Sequence, residues 1–464
     1  MSGHQPTPPG TPNVTEILAD WVIDIQGADI PNEIRYEGLR TFVNWVGCAV
    51  GGASHETVDA ALKALMPFSG KATSSVLGRA EKMDALHAAL LNGITSHVLD
   101  YDDTHLKTII HPAGPVASAI LALAETRKIS GYDFITALIV GVEVECRIGN
   151  SVYPDHYDRG WHITGTAGVF GAAAAAGKLL GLNKQQMRWA FGLAGTQSSG
   201  FREQFGTMTK SFHPGRAAQN GLCSALMAQA GFDSSERVIE APRGFACVMS
   251  DKQDWSEIID GLGDHWEAGL NSYKPFACGI VIHPAIDGCI QLRDELGDRV
   301  SEVESLHLDA HPLVLELTGK RDPKTGLEGK FSVFHSAACA LLRGDGAPTA
   351  FTDEVVRAPE IVALRDAVTA TANPDRHSAS VRIEAKMRDG TTVTKEVERA
   401  LGSRDKPLSD EQVTEKFRVQ SALVIGEAAT DRLLDIAWKS ADLDDVAEVA
   451  RVSSEAVRKK GAAA

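Results

Sequence analysis

Residues 99–115 read LDYDDTHLKTIIHPAGP, with three aspartates (Asp100, Asp102, Asp103), two threonines (Thr104, Thr108) and two histidines (His105, His111) in one short stretch. Pro112, Gly114 and Pro115 keep it from being a long helix, so it is expected as a loop between two helical runs. Carboxylates and imidazoles on a loop held by rigid helices can move protons and orient a polar substrate. A polar helix–helix connection with a capping aspartate has the same composition, and the loop alone leaves both readings open.

Four further segments carry reactive side chains. GWHITGTAG, residues 160–168, places His162 before an Ala-rich helix that Thr164 could cap. QFGTMTKSFHPGRAAQNG, residues 204–221, gathers Lys210, His213 and Arg216 in an otherwise acidic chain. Pro214 and Gly215 are expected to open a helix there. Its free N–H groups, with Lys210 and Arg216, would suit a carboxylate or phosphate; a solvated basic face is the alternative. YKPFACGIVIHP, residues 273–284, carries Lys274, Cys278 and His283 at an expected domain boundary, where clefts form. Cys278 also fits a simple buried thiol. In DPKTGLEGKFS, residues 322–332, Lys324 and Lys330 read as surface charges. Neither the G-x-x-x-x-G-K-[ST] nor the G-x-G-x-x-G pattern occurs in these segments, so no nucleotide cofactor is suggested.

The elements that must position these residues are mostly helices. Apolar residues recur at helical spacing over 14–21, 40–51, 55–66 (with Ser54 as cap) and 82–99, and again over 117–126, 132–148, 166–180, 184–195 and 216–230. GVFGAAAAAGKLLG predicts helix backbones in close approach. Near residue 270 the pattern changes. Residues 306–317 and 379–388 alternate apolar and polar, and Asp389-Gly390 followed by TTVTKEVE is a hairpin signal. The expectation is a mainly α protein: a lead without structure (1–13), a large all-helical domain (14–270), a smaller α/β (α+β) domain (271–400) and a helical return (401–464).

The chain has 464 residues, room for two or three domains. A formal charge of -15 argues against a nucleic-acid binder or a basic membrane surface. Seven scattered cysteines with no C-x-x-C pair fit reduced thiols and speak against zinc ribbons and iron–sulfur ligation. MSGHQPTPPGTPN has no basic-then-apolar signal pattern, and the longest apolar stretch is Gly/Ala-rich and broken by Lys178. A cytoplasmic protein without membrane spans is expected.

Taken in order, DYDDTH with its following HPAG, GWHITGTAG, TKSFHPGRAAQNG, YKPFACG and KTGLEGKFS resemble the MmgE/PrpD family over about residues 14–425. The resemblance implies a helical domain with a smaller lid domain, a homodimer, a site in the cleft between the domains, and neither metal nor organic cofactor. It implies 2-methylcitrate dehydratase, cis-aconitate decarboxylase or iminodisuccinate epimerase chemistry. It places site positions on Asp100, Thr104, His111, His162, Lys210, Lys274 and the neighbourhood of Cys278. The chain departs from the family pattern in KPFAC, which has Phe276 and Ala277 where Tyr-Pro is common. It departs again at Leu317 and Thr318, where the decarboxylase's tyrosine would fall, and in DYDDT in place of the dehydratase's DFNDT.

All three reactions build negative charge beside a carboxylate, so cations and N–H donors must face its oxygens. Lys210, Lys274 and Arg216 could supply them, and histidine suits the proton transfers. His111 and His162 are therefore expected as the acid/base pair, with Asp100 orienting an imidazole or binding substrate, and Thr104 and Cys278 beside it. The leading expectation is a cofactor-independent 2-methylcitrate dehydratase-like hydro-lyase acting on a small polycarboxylate. A carboxy-lyase, an epimerase and a non-catalytic polycarboxylate binder are the alternatives.

Overall fold

The computed structural model describes residues 10–462, so most of the expected unstructured lead lies outside the described residues. The protein is mainly α, with one four-stranded sheet in its C-terminal region among the described residues. Two apolar cores organise it. The first gathers residues from Val14 to Tyr273 and is completed by Leu408 to Ala450. The second runs from Phe276 to Ala400 and takes in Tyr101 from the loop after residue 99.

Helices α1 (Asn32–Gly52), α2 (Ala85–His97), α3 (Ala113–Ala124), α4 (Gly131–Val152), α5 (Ile163–Leu179) and α6 (Thr209–Gln229) build the first core. Small residues let them touch backbone to backbone. A Cβ on Gly93 of α2 would lie 2.4 Å from the Cα of Gly215 on α6, and one on Gly215 would lie 2.3 Å from the Leu90 carbonyl oxygen. Neither position admits alanine without moving a helix.

That crossing corrects one expectation. Pro214 and Gly215 do not open a helix; α6 begins at Thr209 and runs through Pro214. Proline costs an interior hydrogen bond, but here the α2–α6 contact holds the helix across it. Two capping expectations also change. The helix Glu56–Leu65 is capped by His55, whose Nδ1 accepts from Thr57 N at 3.2 Å, and not by Ser54. Helix α5 has His162 at its N-cap position without a side-chain cap, because Thr164 bonds elsewhere.

Strands β1 (Asp103–His105) and β2 (Asn271–Tyr273) pair antiparallel, Asp103 opposite Tyr273 and Thr104 opposite Ser272. This short ladder ties the acidic loop to the segment that leads into the second core. Strands β3 (Val303–Ala310), β4 (Val368–Ala372), β5 (Val381–Met387) and β6 (Thr392–Val397) form the sheet in the order β4-β3-β5-β6, with only β3 and β4 parallel. The hairpin expected at Asp389-Gly390 joins β5 to β6. Alternation over 306–317 continues as strand only to Ala310, because Pro312 starts a short helix that His311 caps. Helices α7 (His283–Leu296) and α8 (Val333–Arg343) pack together beside the sheet. Helix α9 (Asp410–Ile425) returns to α1, its Phe417 ring seated against Gly47. No helix among the described residues is long and apolar enough to cross a membrane.

Candidate active site

A narrow cleft lies between the two cores. Asp100, His111, His162, Lys210 and Lys274 all line it. Residues far apart in sequence meet there because α2 ends at the acidic loop, α5 starts at His162, the first turn of α6 carries Lys210, and Lys274 follows β2 directly. Two loop residues hold left-handed backbone, Asp100 at φ 50 and Ile109 at φ 61. For β-branched Ile109 that conformation is strained. Both residues line the cavity.

The electrostatics centre on Asp100. Lys210 Nζ lies 3.0 Å from Asp100 Oδ1, and Lys274 Nζ bonds the same oxygen more closely still. Lys274 also sits 3.6 Å from Asp102 Oδ1. Burial opposes charge on Asp100, but Lys210 and Lys274 overrule it and hold the carboxyl well below the usual range. Burial likewise opposes the charge on Lys274, and Asp100 with Asp102 reverses this and raises it. For Lys210, burial prevails over Asp100 and lowers it.

Three histidines surround these charges. His97 and His111 are 4.7 Å apart between ring centroids, and His111 and His162 are 6.2 Å apart. His111 Nδ1 lies 2.8 Å from the Asp103 carbonyl oxygen, which can only accept, so Nδ1 carries the proton and Nε2 is the basic nitrogen. Its backbone N–H donates to Thr164 Oγ1 at 3.1 Å, the bond that draws Thr164 away from capping. His162 Nδ1 faces His213 Nδ1 at 2.8 Å. His97 Nδ1 donates to Asp102 Oδ2 at 2.6 Å. Burial holds all of these imidazoles below their ordinary range, with His213 at about 4.

The capping aspartate expected in the acidic loop is present. Asp103 caps α3 by accepting from Ala113 N at 3.0 Å, while Asp100 and Asp102 face the ion-pair cluster. Burial and the neighbouring Asp102 push Asp103 up to about 7.

Three expected site residues stand off the cavity. Thr104 is buried behind His111, its Oγ1 3.3 Å from His111 Nδ1. Cys278 is fully buried next to lining residue Gly279, and burial raises its thiol far above the ordinary value. Arg216 belongs to another face of α6: its guanidinium donates to Gln219 at 2.6 Å and lies over the Phe212 ring. With the helix starting at Thr209, Arg216 is two turns in and cannot complete an N-terminal anion site. Lys330 is a further correction. It is 3% exposed and donates to the carbonyl oxygens of Leu99 at 2.5 Å and Ala277 at 3.0 Å, pinning the acidic loop to the second core. Lys324 does lie at the surface, paired with Asp322.

His97 and Tyr157 are not among the expected site residues, and Asp102 stands there only as one of three loop aspartates. His97 ends α2 five residues before Asp102, and a histidine closing an apolar helix face beside acids was the available signal. His213 stood in a segment already singled out. Ring nitrogens of His97, His111 and His162 come within 4.8 Å of one another, as do ligand atoms of His97, Asp100, Asp102 and His111, so this cluster could also ligate a transition metal.

The MmgE/PrpD N-terminal domain model matches residues 16–258 and the C-terminal domain model matches residues 276–442. The chain belongs to the MmgE/PrpD family. Among its curated relatives, the cis-aconitate decarboxylase of Aspergillus terreus is 27% identical over 462 residues, 93% of this chain and 94% of the relative. A cis-aconitate decarboxylase-like protein of Aspergillus oryzae is 28% identical, covering 98% of this chain and 100% of its own. The cis-aconitate decarboxylase of Mus musculus is 26% identical over 95% of this chain and 93% of its own. As an MmgE/PrpD protein the chain thus matches these relatives nearly end to end, across both cores and the cavity between them.

Proposed function

We propose that the chain is a lyase that breaks a bond next to a carboxylate of a small carboxylic acid, with dehydration of a hydroxy acid as the first reading. One observation carries it: the His111 and His162 imidazoles face the cavity that also holds the ammonium groups of Lys210 and Lys274. His111, with its proton fixed on Nδ1, offers a basic Nε2. If His213 donates to His162, the His162 proton sits on Nε2, as a donor.

The substrate carboxylate docks at Lys210 and Lys274. His111 Nε2 takes the proton from the adjacent carbon, the C–H electron pair becomes the carbon–carbon double bond, and the C–O bond breaks. The leaving oxygen departs as water with a proton from the His162–His213 pair. That pair gains the proton when substrate binds, because an incoming anion opposes the burial that keeps both rings neutral. Asp100 sets the spacing of the two lysines, and Asp102 and Thr104 are positioning residues. The 271–400 unit acts as a lid in this reading, and the protein is a cytoplasmic homodimer. Light scattering would test the dimer.

Decarboxylation is the second reading, favoured by the relatives named above. Here carbon dioxide leaves, its bonding pair stays on carbon, and the histidine pair protonates that carbon. Leu317 and Thr318, at the position where the family's decarboxylase tyrosine is expected, weigh against it; both line the cavity.

Proton NMR in deuterated water, with citrate, 2-methylcitrate, malate and cis-aconitate in separate tubes, tests the proposal. A vinyl signal from a hydroxy acid supports dehydration. Itaconate from cis-aconitate supports the second reading. Deuterium exchange without a new skeleton would make the protein an epimerase, and no change in any tube counts against turnover of these acids.

A further inference from the structure

A second, wider cavity of about 590 Å³ adjoins the cleft and shares Ile109, Ile280 and Val281 with it. That is room for a small acid to rest before it reaches Lys210 and Lys274. Its wall is rich in donors, graded from mouth to interior. Lys107, His377 and Arg404 are exposed, His311 is half-buried and His283 is buried. Asp405 is the only carboxylate lining this space among the described residues, and it accepts from Arg399 at 2.6 Å. Lys107 is paired with Glu257 at 2.6 Å. The Arg404 guanidinium has neither an ion pair nor a hydrogen bond among the described residues.

The two outer histidines are held as donors. His377 Nδ1 accepts from Ala379 N at 3.0 Å, and His311 Nδ1 accepts from Leu313 N at 3.2 Å. A ring nitrogen that accepts carries no proton, so each ring keeps its proton on Nε2. Further in, Ser403 is 8% exposed and its hydroxyl has no hydrogen-bond partner. Neither ring nitrogen of His283 completes a hydrogen bond, although the Cys278 carbonyl acts on the ring against burial and Lys274 acts on it from the cleft. Buried polar groups are normally paired. Two that are not, on the wall of one cavity, point to a polar ligand there.

We propose that the outer cavity is an anteroom for small polycarboxylates, in which Arg404, Ser403 and the Nε2–H groups of His311 and His377 hold the acid before it enters the cleft at Lys210 and Lys274. This rests on the lyase reading for the class of ligand, and it adds a capture step outside the reacting centre.

The test is chemical footprinting of the full-length protein, read peptide by peptide by mass spectrometry. Phenylglyoxal modifies free guanidinium groups and diethyl pyrocarbonate modifies imidazoles. The probe is tricarballylate, a saturated tricarboxylate with no hydroxyl to lose. At saturation it should slow modification of Arg404, His311 and His377 about threefold or more, whereas potassium chloride at the same ionic strength should not. Arg404→Gln changes an exposed side chain and should abolish the protection of both histidines. Protection that persists in this variant would come from the cleft alone and overturns the proposal, as does a natural protein that shows none. On an acid that is turned over, Arg404→Gln should lower kcat/KM about three- to tenfold at low salt, with the gap narrowing as salt rises; equal values at low salt also overturn it. Protection without turnover of any acid leaves the anteroom standing and fails the lyase reading. Turnover without protection does the reverse.

Discussion

His162 and His213 meet through their Nδ1 atoms at 2.8 Å, one ring lining the cavity and the other behind it on α6. Two acceptor-capable nitrogens at that distance need one proton between them, so each ring fixes the tautomer of the other. Replacing His213 with Phe removes the partner that shares the proton and leaves His111, His162, Lys210 and Lys274 in place. We expect kcat to fall about ten- to a hundredfold with KM changed less than threefold, and the pH profile of kcat to shift. Steady-state kinetics across pH checks it, and unchanged kinetics would strip His213 of its positioning role.

His111 is the base in the proposed mechanism. His111→Ala should lower turnover by about a hundredfold or more while circular dichroism and the melting midpoint stay near those of the natural protein. Thr164→Val, which removes only the bond that accepts from the His111 backbone, should cost less. A folded and fully active His111→Ala protein would rule out this mechanism.

Asp100 holds two buried ammonium groups. Asp100→Asn removes the carboxylate they share and leaves Asp102, 3.6 Å from Lys274, as the nearest counter-charge, and we expect a loss of about 3–5 kcal/mol at pH 7, as when one partner of a buried ion pair is removed. The pH dependence has a defined sign. The folded-state Asp100 carboxyl is depressed below 3.8, so its contribution is present above that value and is lost as pH falls through the lower folded value. Urea melts at pH 7 and at successively lower pH should therefore show the gap between natural and variant proteins closing only in strong acid.

Glu145 gives the opposite sign. Both its oxygens are buried without a partner between α4 and α5, and burial followed by Asp103 raises it well above 4.5. Nothing is lost below the unfolded value, and the cost grows as pH rises from 4.5 toward the folded value, at about 1.4 kcal/mol per pH unit. Glu145→Gln should be near neutral at pH 4 and stabilising at pH 8. Melting at the two pH values decides it; equal effects would mean Glu145 ionises freely.

Metal removal separates two uses of the histidine cluster. Because the proposed chemistry runs on protons alone, dialysis against EDTA should leave activity unchanged. Added zinc should inhibit competitively, since His97, His111 and His162 ring nitrogens within 4.8 Å can close on one ion. Loss of activity on chelation, restored by one divalent metal, would replace acid–base catalysis with metal-assisted chemistry.

Residue types and local spacing were enough to identify the helical part, the hairpin at Asp389-Gly390, and the segments that bring His111, His162, Lys210 and Lys274 to one cavity. Those features depend on contacts within a few residues, on turn chemistry and on apolar periodicity, all written locally. The choice among neighbours within a segment was not. Lys210 faces the cavity and Arg216 does not, because α6 already starts at Thr209 and the six residues from Lys210 to Arg216 turn the latter onto another face of the helix. Lys324 is solvated and Lys330 buried, because only Lys330 finds the Leu99 and Ala277 carbonyls, one from each side of the cleft. Asp103 became a cap and Asp100 an ion-pair hub, although they stand three residues apart in the same acidic run. By itself the sequence determined which elements form and which polar segments are candidates for chemistry. The tertiary structure decided which of those charges are paired, buried and aimed at one space, because burial and partner distance depend on chain segments that sequence spacing cannot bring together.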